Sequence, residues 1–110
     1  LDFLIWKKQE LQKAGIADII IDPGIGFGKT AGHNFQLLKN LSTFSMLQSP
    51  VLLGLSRKSF IWKTLGITAE DALAGTIAMN MYGLMQGATI LRVHDVKEAV
   101  QTIQLFQAIK

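Results

Sequence analysis

The sequence predicts an α/β protein of strand–helix units, either an open doubly wound sheet or part of a (β/α)8 barrel. Three observations carry this. Apolar runs at residues 19–21, 51–55 and 89–93 are separated by helical patterns, the alternation that sets parallel strands beneath crossover helices. Each run ends in polar or charged residues: Asp22, then Ser56-Arg57-Lys58, then Arg92-Val93-His94-Asp95. Such proteins place their chemistry at the carboxyl ends of strands. The units recur about every 35 residues, and eight of them make the ~250 residues typical of a barrel. Three strands make a poor independent sheet, because edges and both faces need cover. The expectation is therefore the C-terminal portion of a TIM barrel, about three βα units after a leading helix. The chain also opens at Leu1 without methionine, inside a helical pattern, as a fragment would.

Residues 1–13 form the leading helix, with Leu1, Leu4, Ile5, Leu11 and Ala14 near helical spacing. Gly15 is placed to close it in a left-handed cap. Residues 16–22 are a strand whose Ile19-Ile20-Ile21 run suits burial on both faces. A glycine loop follows to Gly32. Asn34 can cap the next helix, where Leu37, Leu38, Leu41 and Phe44 recur at three or four residues. Pro50 stops helical continuation ahead of the strand at 51–55. Arg57-Lys58 opens a short helical turn closed by Gly66. Thr68 with Asp71 resembles a capping box for a long helix reaching Gln86, and Gly87 ends it. The strand at 89–93 leads to Asp95 and Glu98, a second capping arrangement. Val96, Val100, Ile103 and Phe106 mark one face of the last helix.

Composition excludes several classes. With 49% apolar and 17% charged residues the chain is not disordered. A net charge of +3 without a basic–aromatic stripe gives no nucleic-acid signal. The absence of cysteine removes disulfides and thiolate metal sites, and His33 and His94 lack metal-ligand spacing. No run reaches the ~18 apolar residues of a membrane span, and no signal peptide opens the chain. A soluble cytoplasmic protein is the expectation.

The loop Asp22-Pro23-Gly24-Ile25-Gly26-Phe27-Gly28-Lys29 invites two matches and fails both by one residue. A P-loop needs four residues between its first glycine and Gly-Lys-Thr, and Gly24 leaves three before Gly28-Lys29-Thr30. The dinucleotide fingerprint needs two residues between its second and third glycines, and Gly26 to Gly28 leaves one. What remains is a loop of unusual backbone angles presenting one ring, Phe27. Asp22 could cap that loop in an Asx-turn, or accept two N–H bonds from a flat heterocycle with a guanidine-like edge. Lys58, beside helix amides, reads as an anion site or a solvated basic turn. Strand alternation sends Arg92 and His94 to one side, where a bidentate guanidinium and an imidazole suit phosphate. Gly75 and Gly83, with Met79 between them, leave a close-approach face for the barrel or a second subunit. Trp6, Trp62, Met79, Met81 and Met85 are read as core or interface packing, and His33 as a helix-start residue.

Taken together, Asp22-Pro23-Gly24 with Gly26-Phe27-Gly28-Lys29, Gly54 with Ser56-Arg57-Lys58-Ser59, and Arg92-Val93-His94-Asp95 resemble the C-terminal part of the dihydropteroate synthase family. Residues 1–110 would then be a partial pterin-binding barrel domain. The resemblance implies a transferase of folate biosynthesis. That family joins 6-hydroxymethyl-7,8-dihydropterin diphosphate to 4-aminobenzoate, giving 7,8-dihydropteroate and pyrophosphate. It implies that Asp22 binds the pterin amino edge and that Lys58 contacts the pterin beside the aminobenzoate pocket. Phe27 would wall that pocket, Ser59 would hold the carboxylate, and Arg92 and His94 would hold the diphosphate. Magnesium, a homodimer and sulfonamide competition at the aminobenzoate pocket are implied too. The family's magnesium ligand falls outside these residues, so the chain alone is expected to be inactive. Two other readings stand beside this one: a methyltetrahydrofolate-corrinoid methyltransferase type of pterin barrel, and a non-catalytic remnant used as a binding or scaffold domain. The Ser-Arg-Lys-Ser and Arg-Val-His motifs speak against the first.

Overall fold

The computed structural model describes residues 1–27 and 30–110. Gly28 and Lys29, at the end of the glycine loop, lie outside the described residues. Helix α1 (Asp2–Lys13) has no fully buried residue; Leu4 and Ile5 rest against the core while Phe3 and Trp6 face outward. Trp6 is thus not core. Gly15 closes the helix at φ +94°, as its position predicts.

Three parallel segments follow in the expected order. Strand β1 (Leu52–Leu53) pairs in parallel with β2 (Ile90–Leu91), Leu52 opposite Ile90 and Leu53 opposite Leu91. On the other edge of β1, Ile21 forms a single parallel bridge to Val51. Its N–H donates to Pro50 O at 2.9 Å, and Leu52 N–H donates to Ile21 O at 2.7 Å. The strand expected at 16–22 is reduced to this bridge. Among the described residues nothing pairs with its far edge, so Ile16 and Ile20 are 45% and 56% exposed rather than buried on both faces. A strand exists only to the extent that a neighbour satisfies its amides.

Helix α2 (Ala31–Lys39) begins differently from the expectation. Thr30 is its N-cap, accepting the His33 N–H at 3.2 Å, and Asn34 lies buried within the helix. The apolar run beyond Lys39 tightens into a 3-10 segment, Leu41–Leu47, which buries Leu41, Phe44 and Leu47. With Leu38 these side chains cover Ile21, Ile25, Val51 and Leu53 to form the core. Phe35 of α2 meets Phe60 edge-to-face at 5.2 Å; Phe60 belongs to helix α3 (Ser59–Leu65), which Gly66 ends at φ +71°.

The predicted Thr68–Asp71 box makes no side-chain cap. Thr68 precedes a 3-10 turn, Ala69–Asp71, and helix α4 (Leu73–Met85) starts after it. The two glycines of α4 turn inward. A Cβ on Gly75 would stand 2.7 Å from Ile61 Cγ2, and one on Gly83 would collide with Leu53. This face packs on α3 and β1. Helix α5 (Val96–Ile109) lies against α4 and buries Ala99 and Thr102, while Val96 and Val100 of the expected face are 63% and 47% exposed. The whole measures 45 × 33 × 20 Å, and among the described residues neither the far edge of the Ile21 bridge nor that of β2 has a strand beside it.

Candidate active site

The carboxyl ends of the three parallel segments converge. Asp22 follows the Ile21 bridge, Ser56 to Lys58 follow β1, and Arg92 to Asp95 follow β2. Of the two roles the sequence leaves open for Asp22, the structure describes the loop cap. Its Oδ1 accepts the Gly24 N–H at 2.9 Å, which is the Asx-turn. Its Oδ2 faces Arg92 Nη1 at 3.4 Å, a partly exposed ion pair. The glycine loop beyond it turns through left-handed angles, Gly24 at φ +76° and Gly26 at φ +87°. Only glycine takes these at little cost.

Gly26 is constrained twice. A Cβ there would lie 3.3 Å from Cε and Nζ of Lys58 and closer still to its Cδ. The ammonium of Lys58 crosses the loop, donates to Ile25 O at 2.6 Å and sits 4.0 Å from the centroid of the Phe27 ring. A cation over a ring face is attracted by the ring quadrupole. Among the described residues, the loop carbonyl and the aromatic face are partners of Lys58, which is therefore not the freely solvated cation of the alternative reading. Phe27 itself is 60% exposed. Its loop is anchored from below by Asn34, whose Oδ1 accepts the Gly26 N–H at 2.7 Å.

Gly54 opens the space that Arg92 needs. A Cβ on Gly54 would stand 2.7 Å from the guanidinium Cζ, so the guanidinium lies close against the backbone just past β1. His94 faces the same corner, with Nδ1 hydrogen-bonded to Ser56 Oγ at 3.0 Å and its backbone N–H donating to that oxygen at 3.3 Å. Arg92 and His94 line one cavity of about 110 Å³ with Gly54, Ser56 and Lys58. Val93, which strand alternation would send to the other side, lines it too because residues 92–94 lie beyond the end of β2. A pocket for a drug-sized ligand takes roughly 300 Å³ or more, so this corner alone is too small to hold one. A larger hollow of about 510 Å³ lies by Lys8, Asp18 and Pro50 at the opposite ends of the strands. It gathers none of the three motifs. Ser59 is exposed at the first position of α3.

Two functional-looking residues escaped the sequence. One is Asn34, expected as a cap. The other is Arg57, expected as half of a solvated basic pair. Arg57 adopts φ +52° and four of its five guanidinium N–H groups are bonded to protein. Nε and Nη2 donate to the two Asp95 oxygens at 2.9 and 3.1 Å, and Nη1 donates to the carbonyls of Ala69 and Glu70 at 2.8 Å each. The hydrogen bond with Asp95 raises the Arg57 pKa and holds the Asp95 carboxyl below the ordinary carboxylate range. This also corrects the expected second cap: Asp95 holds the N-cap position of α5 but makes no side-chain bond to the helix. Among the described residues no group of three or more His, Cys, Asp or Glu could hold a metal ion. Among the described residues no helix is long and apolar enough to cross a membrane.

Comparison with known proteins points the same way. The model of a family described as pterin binding enzyme matches residues 1–94. The chain is 43% identical over 99 residues to the dihydropteroate synthase of Escherichia coli K12, covering 88% of this chain and 35% of that protein. Its fold superposes with TM-score 0.93 on the crystal structure of the Yersinia pestis dihydropteroate synthase, at 39% identity, over 98% of this chain and 52% of that one. It superposes with TM-score 0.92 on the Coxiella burnetii enzyme in complex with pteroic acid, at 40% identity, over 98% and 41%. The chain therefore spans about a third of the length of the curated relative.

Proposed function

The chain belongs to the pterin-binding enzyme family, and from that premise we propose that it is the C-terminal portion of a (β/α)8 dihydropteroate synthase, a transferase of folate biosynthesis. The observation that carries the reading is the convergence of Asp22, Lys58, Arg92 and His94 at adjacent parallel strand ends. In this reading Oδ2 of Asp22 exchanges its long contact with Arg92 for the amino edge of the pterin. Arg92, released, turns with His94 to the diphosphate. The bond between the pterin methylene and the diphosphate oxygen breaks, and its electron pair leaves with pyrophosphate. The amine of 4-aminobenzoate then forms the new C–N bond and gives up a proton. Arg92 and His94 act on the charge that develops on the leaving group, where preorganised donors count most. Lys58 and Phe27, already in contact, would border the aminobenzoate, and Ser59 would hold its carboxylate.

Magnesium enters by resemblance only. The described residues hold no ligand cluster that fits it, so no step here runs through it. A homodimer and a cytoplasmic setting likewise rest on the family resemblance and belong to this proposal.

A hybrid barrel tests the reading: residues 1–110 replace the matching segment of the Escherichia coli relative. Dihydropteroate formation from both substrates is expected, with loss on Asp22→Asn. The purified chain alone, given both substrates and magnesium, is expected to form none. Product from the isolated chain would overturn the claim that the site is incomplete. A folded hybrid that binds neither pterin nor aminobenzoate would favour a non-catalytic domain.

A further inference from the structure

We propose that Arg57 is a positioning residue that acts through Asp95 to lock the two strand-end segments of the site in one register. The inference rests on the dihydropteroate synthase reading above. Arg57 is one of two non-glycine residues with positive φ among the described residues, a conformation that costs an L-residue stability unless its surroundings over-determine it. Here they do. Its N–H donates to Thr76 Oγ1 at 3.0 Å, its carbonyl accepts Trp62 Nε1–H at 3.2 Å, and its guanidinium makes the four bonds to Asp95, Ala69 and Glu70.

The backbone inversion has a directional consequence. Ser56 and Lys58, on either side of Arg57, face the site, towards His94 Nδ1 and Ile25 O. Arg57 points away to Asp95, the residue that follows His94. One bidentate ion pair thus spans 38 residues of chain and joins the segment bearing Ser56 and Lys58 to the one bearing Arg92 and His94. Lys58, bordering the aminobenzoate, and Arg92 and His94, on the diphosphate, must keep one spacing for the amine to meet the methylene carbon as the C–O bond breaks, and this pair sets it. A fork-shaped guanidinium serves both the carboxylate and the carbonyls; an ammonium cannot.

The test uses the hybrid barrel with Arg57→Lys, Asp95→Asn, the double variant and Arg57→Ala, assayed well below each unfolding midpoint. Each single change is expected to lower kcat/KM roughly 10–100-fold, the cost of losing the support behind a site residue. The double variant should be no worse than the poorer single, because the two residues act as one unit. Millimolar guanidinium should restore part of the Arg57→Ala activity, and methylammonium should not. A purely structural role predicts lower midpoints, unchanged kcat/KM in the folded protein and no such rescue; that result overturns the inference and leaves the enzyme reading intact. An inactive unsubstituted hybrid that binds no substrate sinks the enzyme reading, and this inference with it.

Discussion

At the scale of single residues, the same two atoms of Asp95 govern both geometry and acid response. The Arg57 guanidinium holds the Asp95 carboxyl below its ordinary range, so the ionised form is favoured by folding. The resulting stability is complete above the unfolded carboxylate pKa, about 3.9, and is lost as pH falls through the lower folded value. The raised pKa of Arg57 operates far above that window and adds no slope there. Urea midpoints of the hybrid barrel and its Asp95→Asn variant should differ by a constant amount near neutrality and converge below about pH 4. A gap that persists undiminished into strong acid would mean that the ion pair contributes nothing to stability. Glu70, whose pKa is lowered by its own backbone hydrogen bond and the Thr68 hydroxyl, titrates in both proteins and cancels. Residue types and spacing were enough to nominate Asp22, Lys58, Arg92 and His94. They could not show that Lys58 lies on Phe27 and the Ile25 carbonyl, because those partners come from another unit of the chain.

Among the secondary-structure elements, α4 illustrates how a helix is fitted to a sheet by removing side chains. Gly83 faces Leu53, a fully buried residue of β1, and Gly75 faces Ile61 of α3. Glycine inside a helix costs roughly 1 kcal/mol relative to alanine, so these positions would be improved by alanine if space allowed. It does not. Gly83→Ala should destabilise the hybrid barrel by about 1–3 kcal/mol through overpacking, read from its urea midpoint, whereas a midpoint at or above the parent would show that the helix can shift. Gly87, at φ +110° with open space around it, is needed for its backbone angle instead. The glycine pair was legible as a close-approach face, but its partner was not, since periodicity identifies a face and not what covers it. The caps show the same limit: Asp95 has the right residue type at the right place, and a stronger bidentate partner takes its carboxylate.

For the molecule as a whole, the open edge beside Ile21 has the clearest consequence. Ile16 and Ile20 are exposed beside a segment that bonds on one side only, and an uncovered apolar strand edge is a template for further pairing. The isolated chain should therefore self-associate with rising concentration in sedimentation velocity, while the hybrid barrel, with that edge covered, should not do so through it. A chain that stays monomeric into the high micromolar range would show that the edge is protected in some other way. The chain spans about a third of the curated Escherichia coli relative, and its corner cavity of about 110 Å³ is small for a heterocycle with a second substrate. Order of elements, helix ends at Gly15, Gly66 and Gly87, and the placing of each motif at a strand end follow from local pattern, so the sequence by itself determined them. Which residues meet across the site did not follow. Arg57 turning to Asp95, Asn34 gripping the Gly26 amide and Gly54 making room for Arg92 are contacts between residues eight to 38 positions apart. Only the tertiary structure decided them, because each depends on parallel segments lying side by side and on the volume left between them.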